Sequence, residues 1–401
     1  MPAEVHQDAM TMAGELAELR HAIHREPEIG LDLPRTQEKV LVALGGLPLE
    51  ISCGRELSSV TAVLRGGKPG ATVLLRGDMD ALPVTERTGL PYSSQLDGAM
   101  HACGHDLHTA MLTGAARLLS ARQQEIPGNV IFMFQPGEEG YAGARQMISE
   151  GVLDAAGNRP VAAYALHVAS STLPGGVYST KPGPMMAAAD VFELTINGHG
   201  GHASQPHRAA DPIPVTCEIV TALQTMVTRK FDVFDPVVLT IGSFHAGTTD
   251  NVIPDEARLL GSLRTFSAET RSRVMEHAVR LAEKIAAGHG LTATAGFPTG
   301  YPVTVNDDDE VSFAQRTVTE LYGNGRIITQ PFPLTGAEDF SFVLEQVPGA
   351  FVMLGACPPG ADPATAAYNH SADAVFDDAV LGDGAALYAE LALRRLAATR
   401  A

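Results

Sequence analysis

Tryptophan is absent from the 401 residues, and aromatic residues make up only 5% of the chain, so nothing in the composition marks a pocket for a flat aromatic group. Cysteine is scarce. Cys53, Cys103, Cys217 and Cys357 lie far apart with no CxxC pair, which leaves no disulfide framework and fits a reducing, cytoplasmic home. Basic residues are few: 28 Lys and Arg stand against 46 Asp and Glu, a net charge of −18. Such a surface repels phosphate backbones and anionic lipid, so neither nucleic acid nor a membrane is an expected partner. No apolar run approaches the ~20 residues that span a bilayer. The opening stretch, with Glu4, Asp8, Glu15 and Glu18, lacks the basic start and apolar run of a secretion signal. Internal repeats and low-complexity tracts are also missing.

What remains is an ordinary globular composition, 45% apolar and 18% charged, and a length that suits two domains of ~100–200 residues each. Apolar periodicity predicts helices over Ala9–Arg25, stopped by Pro27, then from about Arg35 to Leu44 and over Leu107–Ser120. β-like runs cover Val60–Arg65 and Thr72–Arg76. Asn129–Gln135, between Gly128 and Pro136, reads as a strand buried on both faces, and Ala350–Gly355 as another. Strands alternating with helices imply an α/β sheet whose ligands gather at strand ends. The middle differs. A turn-rich stretch over 173–186 precedes a half-exposed strand at Asp190–Ile196, a helix at Pro212–Arg229, and strands near Val237–Phe244 and Ala257–Phe266. A helix at Glu269–Ala287 and a strand at Leu291–Ala295 complete a β-α-β-β-α-β order, the ferredoxin-like arrangement. The expected organisation is therefore an α/β domain with a central, mostly parallel sheet (1–185 and 298–401), interrupted by a ferredoxin-like α+β domain (186–297).

The chemistry-bearing residues are clustered. His101-Ala-Cys103-Gly-His105-Asp106-Leu-His108 packs three imidazoles, a thiol and a carboxylate into eight residues, a ligand-rich set for a borderline-soft transition metal. Gln135-Pro-Gly-Glu138-Glu139-Gly follows the buried strand; one carboxylate there can bind metal while its neighbour stays free as a base. A solvated acidic turn is the bland alternative. His167 ends the apolar stretch Val161–Leu166, and His370 sits in Tyr368-Asn-His-Ser371. Each alone reads as a hydrogen-bonded structural histidine, but with the clusters they complete a dinuclear ligand set. Asp80, in Gly77-Asp-Met-Asp80, is the candidate partner for the second N–H of a metal-bound histidine. In the middle segment, Asn197-Gly-His-Gly-Gly-His202 offers glycines for close backbone approach and a histidine able to donate to an oxyanion. Asn251-Val-Ile-Pro254 and Gly336-Ala-Glu-Asp-Phe340 are weaker candidates.

Six stretches in order resemble the M20 metallopeptidase family: His24-Arg-Glu-Pro-Glu28, Arg76-Gly-Asp-Met-Asp-Ala-Leu-Pro83, His101–His108, Gln135–Glu139, Gly200-Gly-His-Ala-Ser204 and Gly336–Phe340. The branch they are most similar to contains hippurate hydrolases, N-acyl-amino-acid hydrolases and auxin-conjugate hydrolases. The resemblance implies a hydrolase of N-acyl amino acids with two divalent ions, Zn²⁺ or Mn²⁺ (Co²⁺ and Ni²⁺ being open), held by Cys103, His105, Glu139, His167 and His370. It makes Glu138 the general base. The inserted domain becomes a lid that also builds a homodimer or higher homo-oligomer, with His202 reaching a neighbouring subunit's active site. Asn251 becomes substrate-facing. Dipeptidase or carboxypeptidase action on the same scaffold, and a non-catalytic metal-binding protein, are the other readings. One departure stands out: the family's His-Ser-Pro reads His370-Ser-Ala here.

Overall fold

The computed structural model describes residues 2–298 and 300–399. The chain separates into two compact units. The larger holds residues up to Met185, Val305–Phe332 and the chain from Phe342 onward; the smaller holds Met186–Thr304 and Pro333–Ser341.

The larger unit is a mixed α/β layer structure. Its sheet has eight strands in the order Leu49–Cys53, Val60–Arg65, Pro127–Gln135, Lys68–Asp78, Pro160–Ala169, Gly349–Gly355, Tyr178–Thr180, Ile327–Thr329. The four strands from Pro127–Gln135 to Gly349–Gly355 run parallel. The first two strands add antiparallel hairpin geometry at one edge. The parallel strands are near-continuous apolar runs because helices cover both of their faces; Phe132, Met133, Phe134, Leu74, Leu75, Ala165 and Leu166 have no exposed surface. Register does the positioning. Asp78 pairs with Gln135, and Arg76 with both Met133 and Ala165. Two strands therefore end at one level, at Asp78 and Gln135, and their neighbour passes that level at His167 before ending at Ala169.

Helix His105–Ser120 is buried along nearly its whole length. Close packing is local and specific: a Cβ at Gly114 would lie 2.8 Å from the Ala385 Cβ and 2.9 Å from a Leu16 methyl, so the neighbouring helices Val380–Ala398 and Ala13–Arg25 approach its backbone directly. The single N-terminal helix expected over Ala9–Arg25 is two, Pro2–Thr11 and Ala13–Arg25. At the break the Thr11 hydroxyl donates to the Asp8 carbonyl, Met12 N–H closes a tighter turn onto Ala9, and Gly14 follows. β-Branched and glycine residues together weaken the helix at that point.

In the smaller unit the strands lie in the order Val238–Ala246, Glu256–Thr265, Ala188–Asn197, Thr292–Gly296, all antiparallel. Helices Pro212–Lys230 and Ala268–Gly288 bury one apolar stripe each, built on Ile219, Leu223, Val274 and Ala278. Asp211 and Ser267 cap them by accepting from the N–H groups of Ile213 and Thr270. This is the β-α-β-β-α-β ferredoxin-like order. Among the described residues no helix is long and apolar enough to cross a membrane.

Candidate metal centre

Five side chains far apart in sequence converge at the strand ends of the larger unit. Cys103 Sγ lies 3.4 Å from His167 Nε2 and 3.3 Å from His370 Nε2. Glu139 Oε1 is 3.2 Å from His370 Nε2 and 3.9 Å from His105 Nε2. The donor atoms of Cys103, His105 and His167 all fall within 4.8 Å of one another, and so do those of Cys103, Glu139 and His370. Cys103 thus stands in both triplets. Glu138 forms a third group with His105 and Glu139.

Local backbone explains how neighbours in sequence can both face the centre. Gly104 has φ +84°, and a Cβ there would lie 2.3 Å from a Val168 methyl. Only glycine accepts both the angle and the contact, and the turn swings Cys103 off the helix that His105 begins. His370 also takes a left-handed conformation, φ +72°. Its N–H donates to the Ala102 carbonyl at 2.8 Å. Next to it Asn369 Nδ2 donates to the carbonyls of Val168 (3.0 Å) and Cys103 (3.3 Å), and its Oδ1 accepts from Ser170 N–H at 2.9 Å. One amide therefore ties together the three segments bearing Cys103, His167 and His370.

Asp80 accepts the N–H groups of both Glu138 and Glu139, each at 3.0 Å, and lies 3.4 Å from His105 Nδ1. It fixes the Glu-Glu turn and faces the back of the imidazole. His167 Nδ1 donates to its neighbour's carbonyl, Val168 O, at 2.9 Å, which leaves the Nε2 lone pair facing Cys103. His108 is spent differently. Its Nε2 accepts from Val168 N–H at 2.8 Å, so Nδ1 carries the proton and donates to Asp78. Asp78 shares the loop that offers supporting carboxylates, where Asp80 is the expected partner; Arg76 Nη1 also binds Asp78 at 2.6 Å. His101 is buried away from both triplets, and burial pushes it down to about 3.

The set suits cations. With Asp80 behind its Nδ1, His105 has a buried Nε2 that makes no hydrogen bond and faces the other donors, a position that costs roughly 1–3 kcal/mol unless something occupies the lone pair. Hydrogen bonds to Cys103 and Glu139 hold the His370 imidazole up to about 10, the mark of an anionic cage. Sulfur, imidazole and carboxylate together favour a first-row transition ion.

Comparison with known proteins bears on this arrangement. Residues 74–394 match the family model described as Peptidase family M20/M25/M40. The chain belongs to the M20 peptidase family. Its M20 relatives include thermostable carboxypeptidase 1 of Saccharolobus solfataricus, 35% identical over 98% of each chain. Another is hippurate hydrolase of Campylobacter jejuni, 35% identical over 97% of this chain and 98% of that one. Among solved structures, the Bacillus subtilis YXEP protein, described as a dinuclear metal-binding peptidase of the M20 family, superposes with a TM-score of 0.81 at 34% identity, covering 97% of this chain and 99% of that one. As an M20 member the chain is a hydrolytic enzyme with the family's mixed α/β fold. The two remaining sequence candidates lie in the smaller unit and are neighbours there. His202 pairs with Val252 in a short ladder, and Ala203 N–H donates to the Asn251 carbonyl at 3.1 Å. Both side chains are exposed, with Ser204 held on His202 Nδ1 at 2.9 Å.

Proposed function

We propose that this M20 hydrolase removes the acyl group from N-acyl amino acids, hippurate-like or N-acetylated, with Glu138 as general base. The observation that carries the reading is the pair of donor triplets sharing Cys103, with a second carboxylate beside them. Cys103, His105, Glu139, His167 and His370 would hold two divalent ions, zinc or manganese first, with cobalt and nickel compatible with the same donors. When bound, such ions polarise an amide carbonyl and lower the pKa of water toward neutrality.

The chain's own residues do the rest. Glu138 takes the proton of the attacking water and passes it to the leaving amine, a contribution of ~10²–10⁴-fold. Asp80 keeps Glu138 in place through its backbone N–H. His202 donates to the developing oxyanion, supplied in a homodimer by the second copy, and Asn251 faces the substrate. A hippurate hydrolase at 35% identity over nearly the full chain supports the substrate class. A carboxypeptidase at the same identity supports a second reading, cleavage of the C-terminal peptide bond of short peptides. A panel of hippurate, N-acetyl-Met and simple dipeptides separates the two. Glu138→Gln tests the base: it should retain both ions by elemental analysis while kcat falls at least ~10²-fold. Turnover near wild type would remove Glu138 from that role.

A further inference from the structure

The stretch around His24 has no part in the reaction above, yet it reaches the metal-bearing helix. Asp106, fully buried, directly follows His105. On one carboxylate oxygen it accepts Arg20 Nε at 2.7 Å and His24 Nδ1 at 2.8 Å. Arg20 is gripped from its far side by the Tyr92 hydroxyl at 2.6 Å and Asp378 at 3.0 Å. His24 Nε2 lies 3.4 Å from Glu86, which in turn accepts Ser94 N–H at 2.6 Å. Burial opposes the charge on His24, but Asp106 raises it to about 9, so the ring is a cation; Asp106 is held well below its usual range by Arg20 and His24 against the same burial. The knot is a set of paired charges largely inside the protein, with Arg20 Nη2 and Asp106 Oδ1 left without hydrogen-bond partners.

Its place in the fold gives it meaning. The helix bearing His105 starts after Gly104, and no side chain caps it. An uncapped first turn following a glycine is free to fray. Two side chains hold this turn: His108, bonded to Asp78 and Val168 on the sheet side, and Asp106, tied sideways to helix Ala13–Arg25.

We propose that Arg20 and His24 are positioning residues for the metal centre, fixing Asp106 and with it the turn that presents Cys103 and His105. The proposal rests on the reading of Cys103 and His105 as ligands. Loss of an outer partner of a metal site weakens metal affinity by about 10–100-fold.

The two nitrogens of His24 allow a sharp test. Asn places its N–H where Nδ1 stood and keeps the bond to Asp106; Gln places it where Nε2 stood and loses that bond. Zn²⁺ and Mn²⁺ affinities measured by competition with a colorimetric chelator should fall about tenfold or more in His24→Gln and stay within about threefold of wild type in His24→Asn. At saturating metal, His24→Gln should regain its kcat. Equal affinities in the two variants, whether both high or both low, overturn the proposal. Should His24→Gln not fold, Arg20→Lys keeps the charge but loses the forked guanidinium; wild-type affinity in it would overturn the proposal equally. His105→Ala separates this inference from its premise. If His105→Ala binds both ions as tightly as wild type, the ligand reading fails. If it loses an ion while the His24 variants stay alike, the positioning role alone fails.

Discussion

At the residue scale, Asn369 shows what a sequence hides. Its amide bonds reach segments around 100 and 170, and nothing in a lone Asn announces that. Cys103, His105, Glu138 and Glu139 were legible because ligand types were crowded together and followed a buried strand. Arg20 and Asn369 were not, because their partners lie 72 to 358 residues away. Asn369→Ala removes donors from two carbonyls and an acceptor from Ser170; at ~1–3 kcal/mol per unsatisfied group, it should lower both the melting temperature and the metal affinity. A thiolate ligand is oxidisable when uncovered. Peroxide should therefore inactivate ion-stripped protein faster than loaded protein, and equal rates would count against Cys103 as a ligand. The buried ion pair of His24 and Glu86 has a pH signature. His24 rises from 6.5 to about 9, so its stabilisation is complete below pH 6.5 and is lost as pH climbs through about 9. Burial opposes the Glu86 charge, but the His24 hydrogen bond lowers Glu86 from 4.5 to about 2; its stabilisation is present above pH 4.5 and lost as pH falls through about 2. Melting temperatures of ion-stripped protein should fall from pH 6.5 to 9, and Asp106→Asn should flatten that slope more than Glu86→Gln does.

At the scale of elements, the buried strands declared themselves as apolar runs between Gly and Pro. Helix Val380–Ala398 did not. It is buried on most of its circumference, so it lacks the polar stripe by which surface helices are recognised. Strand Leu49–Cys53 was also missed; it is an edge strand, largely exposed, with a mixed composition. The Cys-Gly-His turn is the element on which the centre depends most. Gly104→Ala adds a methyl 2.3 Å from Val168 at φ +84°. Left-handed strain of ~1–3 kcal/mol plus that clash should cost several degrees of melting temperature and reduce the number of ions retained, both measurable on purified protein.

At the scale of the whole molecule, the division into two units was readable from the switch in strand pattern after the turn-rich stretch at 173–186. The return of Pro333–Ser341 to the smaller unit was not, because its nine residues carry no periodicity. If His202 serves a second copy's site, mixing Glu138→Gln with His202→Ala chains should restore part of the activity that each lacks. Verified heterodimers without activity would place His202 in its own chain's reaction or outside it. Of the five donors, His105 opens the long helix and His167 stands on a strand, while Cys103, Glu139 and His370 lie on turns between elements. His370 is the exposed one, its side chain 54% exposed against 13% for Glu139. The cage is thus open to solvent on the His370 side, and ions should be exchanged there. His370→Ala should speed ion release, measured as the rate of transfer of bound ion to a chelator.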